Sequence, residues 1–125
     1  MPRKKSPHLT DAELRLMEVL WDKGQASVAD VTAALPKSLN LHYSTVLTTL
    51  RILETKGYLR HTQEGRAFIY APIVQRDEAR ETAVQQLVRK FFAGSPELLV
   101  LNLMETSNLR PEDLKRLRKK LEEKS

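Results

Sequence analysis

The 125-residue chain contains no cysteine. That excludes disulfides, thiolate zinc sites, thiol-ligated iron–sulfur clusters and a cysteine nucleophile. It also fits a reducing compartment, and a cytoplasmic location is expected. Apolar runs such as Leu98 to Leu101 are too short to span a bilayer, so no membrane insertion is expected. Arg3, Lys4 and Lys5 are followed by Pro7, His8 and Asp11 rather than by an apolar segment, so no secretory signal is expected either. His8, His42 and His61 share no ligand spacing. No metal and no cofactor are therefore expected. No nucleophile–base set, phosphate-binding loop or pair of acids marks a catalytic centre, and Glu18 and Asp22 suit solvated helix charges. The chain is not expected to be an enzyme.

What is present is an ordinary folding composition, 41% hydrophobic and 30% charged, with a net charge of +5. A basic balance favours polyanionic partners without establishing one. Residues 1–72 carry 10 basic and 7 acidic side chains, and residues 73–125 carry 11 and 9. The excess is spread thinly, so its placement decides its meaning.

The first helix is signalled by Thr10 as N-cap and Glu13 three residues on, a capping box. Leu9 and Leu14 are placed to form a hydrophobic staple. Leu14, Met17, Leu20 and Trp21 supply an apolar face, and Lys23–Gly24 a stop. Ser27 caps a second helix carrying Val28, Val31 and Leu35, which Pro36 ends. After the polar segment Lys37–Asn40, a third helix runs from about Leu41–Ser44 to Lys56, with Gly57 beyond it. Tyr43, Val46, Leu47, Leu50 and Leu53 gather on one side of it. Ser44, Thr45, Thr48, Arg51 and Thr55 gather on the other, interrupted by Ile52. A helix with such a front of short hydroxyls and one arginine could lie in a groove.

Tyr58–Thr62 and Ala67–Ala71 are β-prone runs around a glycine-containing turn at residues 63–66, closed by Pro72, which together suggest a hairpin. Three short helices and a hairpin are the order of a winged helix-turn-helix. Residues 73–125 differ. Val84, Leu87, Val88, Phe91 and Phe92 form a stripe on a long helix ending at Gly94. Ser95–Pro96 then opens a helix that is apolar almost all round and should be buried. A last helix begins near Pro111 with Leu114, Leu117 and Leu121 on one face. Leu109 and Leu114 can staple its start, but Arg110 at its cap position has no acceptor oxygen, so that end should fray. About fifty residues seldom make a self-sufficient core. Two copies packing together would cover these helices, through Leu87, Phe91, Phe92, Leu98, Leu101, Met104 and Leu117. The expected organisation is mainly α. A basic arm (1–8) precedes a winged helix (9–72), and a three-helix dimerisation region (73–125) follows.

The stretches LTDAELRLMEVLWDKG, HYSTVLTTLRILETKGYL, GRAFIYAPIV and FFAGSPELLVLNLMETSNL together resemble the penicillinase-repressor (BlaI/MecI-like) family, from about Leu9 to Leu121. The resemblance implies a bacterial transcriptional repressor, a homodimer that binds a double-stranded dyad operator. It places Thr45 and Thr48 in the recognition helix. Leu47 and Ile52 stand where some relatives carry polar or basic residues, which leaves the operator sequence unassigned. No cysteine-rich tail is present, so copper sensing is not implied. In β-lactam-responsive members a membrane sensor protease cuts the C-terminal region. The matching bond here is Asn102–Leu103.

On that basis the DNA-contacting set is Ser44, Thr45, Thr48 and Arg51 on the third helix, with Lys37, His42, Arg60 and Arg66 around it. Lys37 to Arg66 carries five basic against two acidic side chains, a net +3, counting Lys56. Histidine side chains add charge when protonated. Arg66 at the wing tip suits backbone or minor-groove contact, and Arg3, Lys4 and Lys5 suit a phosphate tether. Tyr43, Tyr58, Phe68 and Tyr70 suit packing rather than base stacking. Two alternatives stay open at this level. One is a winged-helix protein–protein adaptor without specific DNA binding. The other is a ligand-released regulator, for which no pocket is marked.

Overall fold

A computed structural model describes residues 8–124, so the arm residues Arg3, Lys4 and Lys5 lie outside the described residues. The expected capping box forms as α1 (Asp11–Lys23) begins: Thr10 Oγ1 accepts from the Glu13 amide at 3.1 Å, and Glu13 Oε1 from the Thr10 amide at 2.8 Å. At the other end the Gly24 amide donates to the Leu20 carbonyl at 2.7 Å, with φ +85° that a glycine adopts without strain. The buried stripe is Glu13, Leu16, Met17 and Leu20. This corrects the expected apolar face: Leu16 is in the core, Trp21 is only half-buried, and Leu14 is exposed. Positions 13, 16, 17 and 20 follow the helical period, and Leu14 falls off that stripe. Leu9 packs on the core.

The next element is a strand the sequence pattern did not reveal, β1 (Ala26–Ser27). Two residues are too few for a period. Ser27 also caps α2 (Val28–Ala34), its Oγ accepting from the Asp30 amide at 3.1 Å. A 3-10 turn (Lys37–Leu39) ends at Asn40, whose φ of 51° is in the left-handed region that asparagine tolerates. Next comes α3 (Tyr43–Thr55), with Val46, Leu50 and Leu53 fully buried. Tyr43 is a second correction: 53% exposed, it lies outside the packed face that Val46, Leu50 and Leu53 form.

The hairpin pairs β2 (Leu59–Glu64) with β3 (Ala67–Pro72), and the antiparallel sheet runs β1–β3–β2. Glu64 pairs with Ala67, so the turn is only Gly65–Arg66, two residues rather than four. Gly65 has φ +62°, and a positive φ at the first loop residue suits the twist of a two-residue hairpin. Pro72 does not close the strand from outside. It pairs with Leu59 beyond the reach of β1, so its missing N–H leaves no ladder bond broken. The core joins Leu16, Met17 and Leu20 to Val31, Val46, Leu50, Leu53, Tyr58 and Tyr70.

The chain divides into two compact units between Ala83 and Val84, within α4 (Arg76–Phe91). Ala79, early in α4, belongs to the winged-helix core. The second unit adds α5 (Pro96–Thr106), capped by Ser95 Oγ accepting from the Leu98 amide at 3.3 Å, and α6 (Pro111–Lys124). Neither helix has a buried residue. The expected burial of α5 is thus not met within one chain. At the start of α6, where fraying is expected, the structure adds a bond that the sequence reading did not include. The Arg110 amide donates to Asp113 Oδ2 at 2.9 Å, and Asp113 also accepts from Arg116. A carboxylate in the first turn thus accepts from the amide of the cap residue, the reciprocal half of a capping box. Asp113 is held below the usual carboxylate range chiefly by that amide.

Candidate nucleic-acid interface

The face of α3 opposite Val46, Leu50 and Leu53 presents Ser44, Thr45, Thr48, Arg51 and Thr55, all exposed. Ile52 is on this side too, 44% exposed, and Tyr43 and His42 flank its start. His42 makes no side-chain cap hydrogen bond, so amides of the first turn have no side-chain acceptor there. The Thr48 hydroxyl donates to the Ser44 carbonyl at 2.9 Å, and that of Thr49 to the Thr45 carbonyl at 2.8 Å. With its proton committed inward, Thr48 offers the outside an acceptor oxygen and a methyl group.

Arg51 is exposed but not isolated. Burial above all, and then Glu54, raise the Tyr70 hydroxyl above its ordinary value, and a hydrogen bond from Arg51 acts in the opposite direction. Arg51 therefore stands near the Tyr70 hydroxyl while carrying further N–H donors. Glu54 is engaged at close range by His61 Nδ1, 2.7 Å away. The His61 ring also meets Phe68 edge-on at 5.4 Å and Tyr70 at 5.6 Å. The wing is thus tied to α3 by side chains from both.

Lys37 is exposed on the 3-10 turn before α3, Arg60 is exposed on β2, and Arg66 is exposed at the hairpin tip. Six strand residues carry that tip about 20 Å from the base of the hairpin. Lys56 is the departure. Its ammonium bonds Glu13 at 2.8 Å and the His8 carbonyl at 3.3 Å, so its charge serves the fold rather than the α3 surface.

The model of the family described as penicillinase repressor matches residues 9–123. The chain belongs to the penicillinase repressor family. It is a family of transcriptional repressors and not of enzymes. The penicillinase repressor of Bacillus licheniformis is 33% identical over 120 residues, 96% of this chain and 94% of that one. The methicillin resistance regulatory protein MecI of Mammaliicoccus sciuri is 23% identical over 96% of this chain and 98% of its own. Among solved structures, the DNA-binding domain of the repressor BlaI is similar, with a TM-score of 0.54 and 36% identity. It covers 60% of this chain and 92% of that domain. YusO of Bacillus subtilis shares the fold at 18% identity, with a TM-score of 0.55 over 95% of this chain and 78% of that one.

In this penicillinase-repressor chain the second unit leaves apolar side chains in the open. Phe91 is 70% exposed and Leu101 52%, and Leu87, Leu98, Leu103, Leu117 and Leu121 are exposed as well. Phe92 and Met104 are half-buried. Asn102 and Leu103 are consecutive exposed residues inside α5, and the Asn102 carbonyl accepts from the Thr106 hydroxyl at 2.6 Å. Among the described residues no helix is long and apolar enough to cross a membrane, and no cluster of metal-ligating side chains occurs.

One pairing escaped the sequence altogether. Arg76 bridges Glu18 and Asp22 in α1, both at 2.8 Å, so those acids are not simply solvated. The partners are more than fifty residues apart, and nothing in the local pattern joins them.

Proposed function

We propose that this repressor is a sequence-specific DNA-binding protein of the cytoplasm that acts as a homodimer on a pseudo-palindromic operator. The carrying observation is the outer face of α3, where the short hydroxyl side chains of Ser44, Thr45 and Thr48 stand exposed in its N-terminal half, on a rod whose back is fully buried. Such a surface approaches base edges closely, and α3 enters the major groove with its N-terminal half foremost. Ser44, Thr45 and Thr48 are the base-reading set. Thr48, an acceptor with a methyl group, suits an exocyclic amino group beside a thymine methyl. Lys37, Arg60 and Arg66 neutralise phosphates, His42 stands where the first-turn amides of α3 face a phosphate, and Arg51 reaches a phosphate or a guanine.

The homodimer is supported by the uncovered apolar side chains of α4 and α5, including Leu87, Phe91, Leu98 and Leu101. Pairing them would hold two copies of α3 at a fixed separation, with half-sites about 10 bp apart. Release by a membrane sensor protease cutting Asn102–Leu103 follows from the family resemblance. The bond is helical here, so α5 would have to open locally before cleavage.

Fluorescence anisotropy with a duplex selected by the protein from a randomised pool tests this function. Saturable dimeric binding that weakens steeply with added salt is expected. Failure to retain any duplex at physiological ionic strength would favour the adaptor.

A further inference from the structure

The base of α4 is held to the winged helix by a compact set of contacts around Trp21, the chain's single tryptophan. Its Nε1 donates to the Val74 carbonyl at 2.9 Å, two residues before the helix begins. Arg76, the first residue of α4, lies over the indole with its guanidinium carbon 5.5 Å from the ring centroid. One nitrogen, Nη2, reaches Glu18 Oε2 and Asp22 Oδ1, both at 2.8 Å. Arg76 Nε is buried with no hydrogen-bond partner among the described residues. One turn on, Ala79 closes against the core.

Magnitudes separate two roles for this arrangement. Both carboxylates are substantially exposed, and ion pairs of that kind add little to stability. Directionally the set is over-determined: a cation over a ring, two carboxylates one helical turn apart and an indole N–H converge on the root of one helix. A planar guanidinium suits that geometry, whereas a lysine ammonium is a point charge on a flexible stem.

We propose that Arg76, held by Glu18, Asp22 and Trp21, is a positioning residue that fixes the direction in which α4 leaves the winged helix. In so doing it sets the half-site spacing the repressor accepts. The spacing consequence rests on the dimeric DNA-binding function proposed above, whereas the fixing of the α4 root does not. Arg76 touches no DNA in this scheme and reads no base.

The test compares the full-length wild type with Arg76→Gln and with the Glu18→Gln/Asp22→Asn double variant. The DNA-free arm follows amide exchange over residues 76–83 together with Trp21 fluorescence. Exchange should rise by about tenfold in both variants, and the emission should shift. Unchanged exchange and emission would overturn the clamp. The DNA arm uses the pool-selected duplex, the same duplex with its spacer altered by one base pair, and a single half-site. The wild type should discriminate against the altered spacers, and both variants should lose that discrimination while half-site affinity stays within about twofold. Retained discrimination would overturn the role in spacing, and a parallel loss of half-site affinity would show a merely structural one. A wild type that binds no duplex would sink the proposed function, yet the exchange arm would still decide the clamp.

Discussion

Lys56 Nζ lies 2.8 Å from Glu13 Oε1, an oxygen that also accepts the Thr10 amide at 2.8 Å. The C-cap of α3 is thus bonded to the N-terminal turn of α1, through a carboxylate that is only 5% exposed. Burial raises the Glu13 pKa, but the Lys56 and Thr10 bonds outweigh it and hold the group below its ordinary 4.5. A lowered folded pKa contributes stability that is complete above the unfolded value and is lost as pH falls toward the folded one. Acid should therefore weaken the winged helix below about pH 4.5, and Glu13→Gln should flatten that part of the profile. Lys56→Met should cost about 1–3 kcal/mol at neutral pH by leaving the carboxylate unpaired. Urea midpoints across the acid range check both, and identical acid profiles for wild type and Glu13→Gln would refute the linkage.

The corrected face of α1 gives a contrast. Leu16→Ala should lower stability by about 2–5 kcal/mol, since it empties a fully buried site. Leu14→Ala should stay within about 0.5 kcal/mol, as surface changes do. Thermal unfolding of the two variants compares them directly.

At the base-reading set, Thr45→Val and Thr48→Val keep shape and remove the hydroxyls. Each should lose about 1–3 kcal/mol on the selected duplex and almost nothing on random DNA. Anisotropy titrations on both duplexes report the difference. Equal losses on the two would remove these threonines from the reading set.

Phosphate contacts carry another signature. Lys37→Ala and Arg66→Ala should weaken all sequences alike and reduce the slope of log affinity against log salt by about 1 each. A substitution that changes sequence preference instead would reassign that residue to a base edge.

For the second unit, Leu101→Asp would set a charge into the proposed dimer contact, a costly burial. Sedimentation should then show monomers or unfolded chain. A dimer as tight as wild type would mean that α5 pairs elsewhere.

Local chemistry was legible without coordinates wherever a few neighbouring residues decide it. Thr10 and Glu13 announce a capping box, Ser27 a second cap, and Val46, Leu50 and Leu53 a buried face. The hydroxyl front of α3 was legible for the same reason, since helical period alone separates front from back. Features that depend on distant partners were not. Strand β1 exists because β3 lies beside it, not because Ala26 and Ser27 prefer a strand. Lys56 does not add to the surface charge of α3, because Glu13, 43 residues away, captures it.

The sequence by itself determined that two capped helices, a third helix and a wing form, and which face of α3 is polar, because period and capping act over a turn or two. Only the tertiary structure decided which of those side chains are committed elsewhere. Lys56 closes on Glu13 and Arg76 grips α1, since ion pairs and hydrogen bonds form between groups that folding, not chain order, brings within reach.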